Sequence, residues 1–126
     1  MSAPAILIID DNPKNAKLAS RVLQFAGYFT VAADSAEAAQ ALLQESPSLP
    51  LALILMDIGL PGMDGLDLTR WLKQDERFRQ IPVVALTAYA MQGDDKVAYD
   101  AGCCGYIVKP IDTRTFADEV GTFLKA

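Results

Sequence analysis

The sequence predicts an α/β protein: one doubly wound parallel β-sheet with helices on both faces, in a single domain. Three observations carry this. First, 126 residues suit one hydrophobic core, and 52% of them are hydrophobic, so an ordered interior is expected rather than a disordered chain. Second, strand-like apolar runs alternate with helix-like stretches five times, the pattern of a sheet wound by right-handed crossovers. Third, four of the runs end on residues that carry chemistry. Ala5-Ile6-Leu7-Ile8-Ile9 delivers Asp10 and Asp11, and Leu51-Ala52-Leu53-Ile54-Leu55-Met56 delivers Asp57. Ile81-Pro82-Val83-Val84-Ala85-Leu86 delivers Thr87, and Tyr106-Ile107-Val108 delivers Lys109-Pro110. Ligands of open parallel sheets bind beyond the carboxyl ends of the strands, which is where these residues fall.

Each helix has a start, a face or a stop. Asn12 can cap a first helix with Pro13 in its opening turn, Ala16, Leu18, Ala19, Val22, Leu23 and Ala26 recur near the helical period, and Gly27 is a stop signal. A short strand, Phe29-Thr30-Val31-Ala32, follows. Asp34 with Glu37 resembles a capping box ahead of Ala38, Ala39, Leu42 and Leu43. Leu66, Leu68, Trp71 and Leu72 mark a third helix, and a fourth is expected from about Asp94 to Ala101, ended by Gly102. Asp112 can cap a fifth, with Phe116, Val120, Phe123 and Leu124 on its buried face and Gly121 weakening it by roughly 1 kcal/mol.

Composition removes whole classes of function. No histidine is present, so serine or cysteine triads and histidine–metal chemistry are excluded, and the chain cannot itself carry a phosphohistidine. The net charge of −5 and the lack of a basic stripe argue against nucleic acid. No apolar stretch reaches the ~18 residues of a membrane span, and Met1-Ser2-Ala3-Pro4 does not read as a signal peptide, so a cytoplasmic location is expected. Cys103 and Cys104 are adjacent, which makes a disulfide strained and a zinc site incomplete; a buried or half-buried thiol pair is the expectation.

Three carboxylates at one sheet edge repel one another unless a hard cation shares them. Magnesium accepts one or two carboxylates, keeps several waters and leaves places for phosphate oxygens. Taken alone, Asp10-Asp11 could serve only to compensate the helix dipole ahead of Pro13, and Thr87 could be a strand-end cap and Lys109 a surface lysine before a turn. Together, cation, ammonium and hydroxyl can neutralise the oxygens of a phosphoryl group in transfer, and Asp57 is the candidate nucleophile that would hold it as an acyl phosphate. Asp57 leads a loop rich in glycine and proline, Gly59-Leu60-Pro61-Gly62. Lys109-Pro110 is a cis-peptide candidate that would aim the ammonium into the site.

The ordered set Ile8-Ile9-Asp10-Asp11-Asn12, Met56-Asp57-Ile58-Gly59-Leu60-Pro61-Gly62-Met63-Asp64-Gly65, Ala85-Leu86-Thr87-Ala88 and Tyr106-Ile107-Val108-Lys109-Pro110 resembles the receiver domains of two-component response regulators, from about Ala5 to the C-terminus. Ala85 to Asp94 is also similar to DivK-like regulators and to receivers attached to hybrid kinases. The resemblance implies a flavodoxin-like (βα)5 sheet of strand order 2-1-3-4-5, an order that periodicity alone does not supply. A chemotaxis receiver is itself a standard example of that order.

The resemblance further implies that Asp57 accepts a phosphoryl group from a histidine kinase or histidine phosphotransfer protein. Asp11 would bind Mg2+ directly, Asp10 largely through water, with Asp57 and the Gly59 carbonyl completing the set. Lys109 would contact the phosphoryl group, Thr87 would move toward it, and Tyr106 would swing inward. The face of the fourth helix, fifth strand and fifth helix would report the change to a downstream protein. The module would be a signalling phosphoacceptor with no separate enzymatic output, one receiver domain spanning residues 1–126, and a monomer with dimerisation on phosphorylation left open. Excision from a hybrid kinase or larger regulator is the alternative. Gly59, where many relatives carry a side chain, and the bulky Tyr89 would modulate phosphoryl lifetime. Two rivals are weaker: a haloacid-dehalogenase-type phosphatase wants a second acid where Gly59 stands, and a flavin module would find its phosphate repelled by Asp10-Asp11.

Overall fold

The computed structural model describes residues 5–46, 50–57, 65–87, 99–108 and 111–124. Strands β1 (Ala5–Ile9), β2 (Phe29–Ala33), β3 (Leu51–Asp57), β4 (Val83–Thr87) and β5 (Gly105–Val108) form one sheet in the order β2-β1-β3-β4-β5, every neighbouring pair parallel. Helices α1 (Pro13–Phe25), α2 (Ala36–Glu45) and α3 (Gly65–Gln74) connect the strands, residues 99–101 form the described part of α4, and α5 (Phe116–Leu124) closes the chain. The flavodoxin-like topology expected from the resemblance is therefore the one present. No helix among the described residues is long and apolar enough to cross a membrane.

Strand alternation divides the interior into two layers. Leu7, Ile9, Ile54, Met56, Val83 and Ala85 face α2 and α3, where Ala39, Leu43, Leu68 and Leu72 meet them together with Phe78 from the turn after α3. Ile6, Ile8, Leu53, Leu55, Val84 and Leu86 face α1 and α5, where Ala19, Leu23, Phe116 and Val120 close the layer. The crossover rule explains the split. The chain steps one way from β1 to β2 and then reverses through β3, β4 and β5, so right-handed crossovers put α1 on one face and α2 and α3 on the other. Helix α5 connects no two of the described strands, so that rule does not place it, and it packs on the α1 side.

Local signals set most helix ends. The Asn12 side chain accepts from the backbone of Lys14 at 2.9 Å and Asn15 at 3.4 Å, with Pro13 opening α1. Gly27 and Gly102 both adopt the left-handed conformation, φ +100° and +117°, that ends a helix cheaply only at glycine. Three expectations need correction. Ser35, not Asp34, caps α2, its hydroxyl accepting from the Ala38 backbone at 3.0 Å; Asp34 sits one residue too early, and Glu37 in the first turn favours the helix dipole. Helix α5 starts at Phe116, one turn after Asp112; the Asp112 carboxylate accepts from the Arg114 backbone at 2.9 Å and so caps the turn that leads into the helix. Leu18 and Ala26 face solvent.

The expected buried or half-buried thiol pair is corrected: Cys103 is buried near Thr69, but Cys104, at a bend just ahead of β5, is exposed. Burial pushes both thiols up, more than the nearby Lys73 ammonium can offset, which suits unreactive thiols.

Two glycines make opposite predictions. A methyl group at Gly121 would meet only the Tyr28 hydroxyl, at an ordinary 3.6 Å, whereas one at Gly105 would overlap the Phe123 ring. Gly121→Ala should stabilise the protein by about 1 kcal/mol in urea unfolding, since helix propensity favours alanine. Gly105→Ala should destabilise it by about 1–3 kcal/mol through overpacking.

Candidate metal centre

The register of β1 against β3 builds the site. Ile9 lies opposite Met56, so the next residues, Asp10 and Asp57, emerge side by side at the carboxyl edge. Two backbone bonds hold Asp10 there. Its N–H donates to the Ala33 carbonyl of β2 at 3.1 Å, and one of its carboxylate oxygens accepts from the Asn12 N–H at 2.9 Å. Asn12 thus serves twice, orienting Asp10 through its backbone and capping α1 through its side chain.

Asp10 is 2% exposed and Asp57 7% exposed, while Asp11 is open to solvent. One carboxylate oxygen from each of the three lies within 4.8 Å of the others. Burying two like charges that close is unfavourable in the absence of a compensating cation. Among the described residues the donor set is three carboxylates, all oxygen, with an open side at Asp11 where water can enter. That combination suits Mg2+ better than Zn2+, which prefers nitrogen and sulfur, or Ca2+, which takes more protein oxygens. A groove of about 750 Å³ between α1 and α2 opens beside the acids, with Val31 and Ala33 in its floor and Lys17 and Asp34 on its walls.

The remaining expected residues divide. Thr87 ends β4, its backbone paired with Val108 at the end of β5. Tyr106 lies within β5, half-buried against the α2–α3 layer. Gly59, Tyr89, Lys109 and Pro110, and with them the expected loop after Asp57 and the cis-peptide candidate, lie outside the described residues. One neighbour was not foreseen. The Tyr99 ring on α4 stands edge-on to the Tyr106 ring, centroids 6.4 Å apart and planes at 76°. Its only signal in the sequence is an aromatic residue one turn before the Gly102 stop, too generic to single out.

Comparison with known proteins agrees with this geometry. A family model described as the response regulator receiver domain matches residues 6–120. The polar-differentiation response regulator DivK of Brucella ovis is 40% identical over 121 residues, 95% of each chain. The chemotaxis response regulator CheY4 of Vibrio cholerae superposes with a TM-score of 0.88 at 22% identity, covering 97% of this chain and 99% of that one, a likeness of fold. The manganese-bound form of response regulator Rcp1 superposes with a TM-score of 0.78 at 27% identity, covering 95% and 91%.

Asp10→Asn separates charge from shape, because an amide oxygen can still accept from Asn12. Without divalent cations this variant should be more stable than the wild type by about 1 kcal/mol, as one repelling charge is gone. Mg2+ at a hundred times its dissociation constant should stabilise the wild type by about 2.7 kcal/mol and the variant by much less. Thermal unfolding with and without Mg2+ measures both.

Proposed function

Because the chain belongs to the response regulator receiver family, and is by that membership a phosphoacceptor module of two-component signalling, we propose that Asp57 is the residue that takes the phosphoryl group and that Mg2+ is the cation bound beside it. The observation that supports this most is the meeting of the Asp10, Asp11 and Asp57 oxygens within 4.8 Å at the carboxyl edge of the sheet.

In the transfer, an Asp57 carboxylate oxygen attacks the phosphorus of a phosphohistidine on a kinase or phosphotransfer protein. The P–N bond breaks, an acyl phosphate P–O bond forms, and the imidazole leaves with the bonding pair. A Mg2+ ion held at the acids would supply the positive charge that offsets the repulsion between carboxylates and phosphoryl oxygens. Asp10, Asp11, Asp57 and the Gly59 carbonyl would hold it. The manganese held by Rcp1 is a precedent within the family for a divalent ion. Lys109 would pair with the transferred group and Thr87 would donate its hydroxyl to it. Gly59 and Tyr89 would set how readily water reaches the acyl phosphate. We place the exchange in the cytoplasm, where histidine kinases are charged from ATP.

The output would run through Tyr106. An aromatic pair of this geometry is worth about 0.5–1.5 kcal/mol, enough to bias which of two positions the Tyr106 ring prefers. On this reading Tyr99 helps to hold the resting surface of α4, β5 and α5 until phosphorylation shifts the balance. A downstream protein would read that surface.

With Mg2+ and a small phosphodonor, the intact chain should gain the mass of one phosphoryl group. Chelation of the metal or Asp57→Asn should abolish the gain; an unmodified wild type would refute the assignment. Tyr99→Ala should move the Tyr106 ring populations, read from side-chain NMR shifts, by roughly two- to tenfold. Tyr99→Phe should leave them near wild type.

A further inference from the structure

The feature that phosphoryl transfer leaves unused lies at the far end of α1. Leu18, Val22 and Phe25 are spaced i, i+4, i+7 and share one flank of the helix. A flank of that kind normally faces a core. Here Leu18 is 38% exposed and Phe25 97% exposed. Beside them runs a groove of about 470 Å³ between α1 and α5, lined mainly by carbon, with Phe25 on one wall and Ala117 and Thr113 on the other. We propose that this face binds a second copy of the same chain, the Phe25 ring of each copy entering the α1–α5 groove of the other.

Two observations favour a second copy over another occupant. A two-fold contact brings one patch against itself, so it requires a protrusion and a matching socket side by side on the same surface. Phe25 next to the groove supplies both. Charge is also segregated: α1 carries Lys14, Lys17 and Arg21 and no acid, while α5 carries Asp118 and Glu119 and no base. A two-fold pairing that lays α1 of one copy over the Ala117 flank of α5 of the other sets basic residues near the exposed Asp118, Glu119 lying on the opposite flank beside Val108 and Phe123, and Arg21 lines the groove that Phe25 would fill. A histidine-bearing donor fits less well. It must cover Asp57 at the carboxyl edge, whereas Phe25 ends α1 about 18 Å from Pro13, twelve residues on at 1.5 Å each. A standard interface of about 800 Å² per partner would cover roughly a ninth of the 7094 Å² surface.

Sedimentation equilibrium of the full chain, without phosphodonor, tests the proposal apart from any assignment of the phosphoryl site. The mass should rise from one copy toward two between low-micromolar and near-millimolar concentration. Phe25→Asp should weaken association by about tenfold or more, as removal of a central aromatic anchor does. Ala117→Arg, from the opposite wall, should act alike, and circular dichroism checks that both variants fold. Arg21→Glu and Asp118→Arg should each weaken the dimer, and the double variant should recover it. A wild type that stays monomeric throughout overturns the proposal, as does a dimer indifferent to Phe25→Asp. Slower phosphotransfer by Phe25→Asp from a histidine phosphotransfer protein, with a monomeric wild type, would assign the face to the donor and likewise overturn it.

Discussion

The pairing of β1 with β3 is the constraint on which the site rests. With Ile9 opposite Met56, the chain after each strand begins at the same height, and two acids are delivered abreast rather than one turn apart. A one-residue slip would send the side chains of β1 to the wrong faces. Ile6 and Ile8 would exchange layers with Leu7 and Ile9, all four of which are fully buried. The packing of both layers therefore defends the geometry of the acids. Burial energy holds two carboxylates where their own repulsion would part them.

That division of labour explains why the site can be both strained and permanent. Asp10 is fixed by its backbone and by Asn12, so it need not relax away from Asp57 when no cation is present. Asp11, by contrast, keeps access to solvent, so water can reach the open side of the cluster. Preorganisation of this kind favours binding, because little order remains to be imposed when the ligand arrives.

Most of the fold was legible in the sequence because its signals are local and redundant. Pro13, Gly27 and Gly102 mark helix ends through backbone rules that tertiary context rarely overrides. The acid cluster was legible for a different reason: three acids at strand ends have few benign explanations once the strands are known to be neighbours. What escaped was what depends on exact phase or on distant contacts. Asp34 and Ser35 are both good caps, and only the backbone angle at Ser35 decides between them. Nothing in the spacing of Leu18, Val22 and Phe25 reveals that the apolar flank of α1 is wider than the core it covers. Tyr99 meets Tyr106 through the packing of a helix on a strand, a relation that periodicity does not encode.

The tie between Asp10 and Ala33 has a wider implication. Strand β2 lies at the rim of the sheet, with no other strand among the described residues on its outer edge and Phe29 at its start 62% exposed. Rim strands are where sheets open first. Yet the amide that anchors Asp10, a buried acid of the cluster, ends on this strand, so the stiffness of the acidic centre is borrowed from the margin of the molecule. Loosening of the periphery would then reach the centre without any change in the three acids themselves.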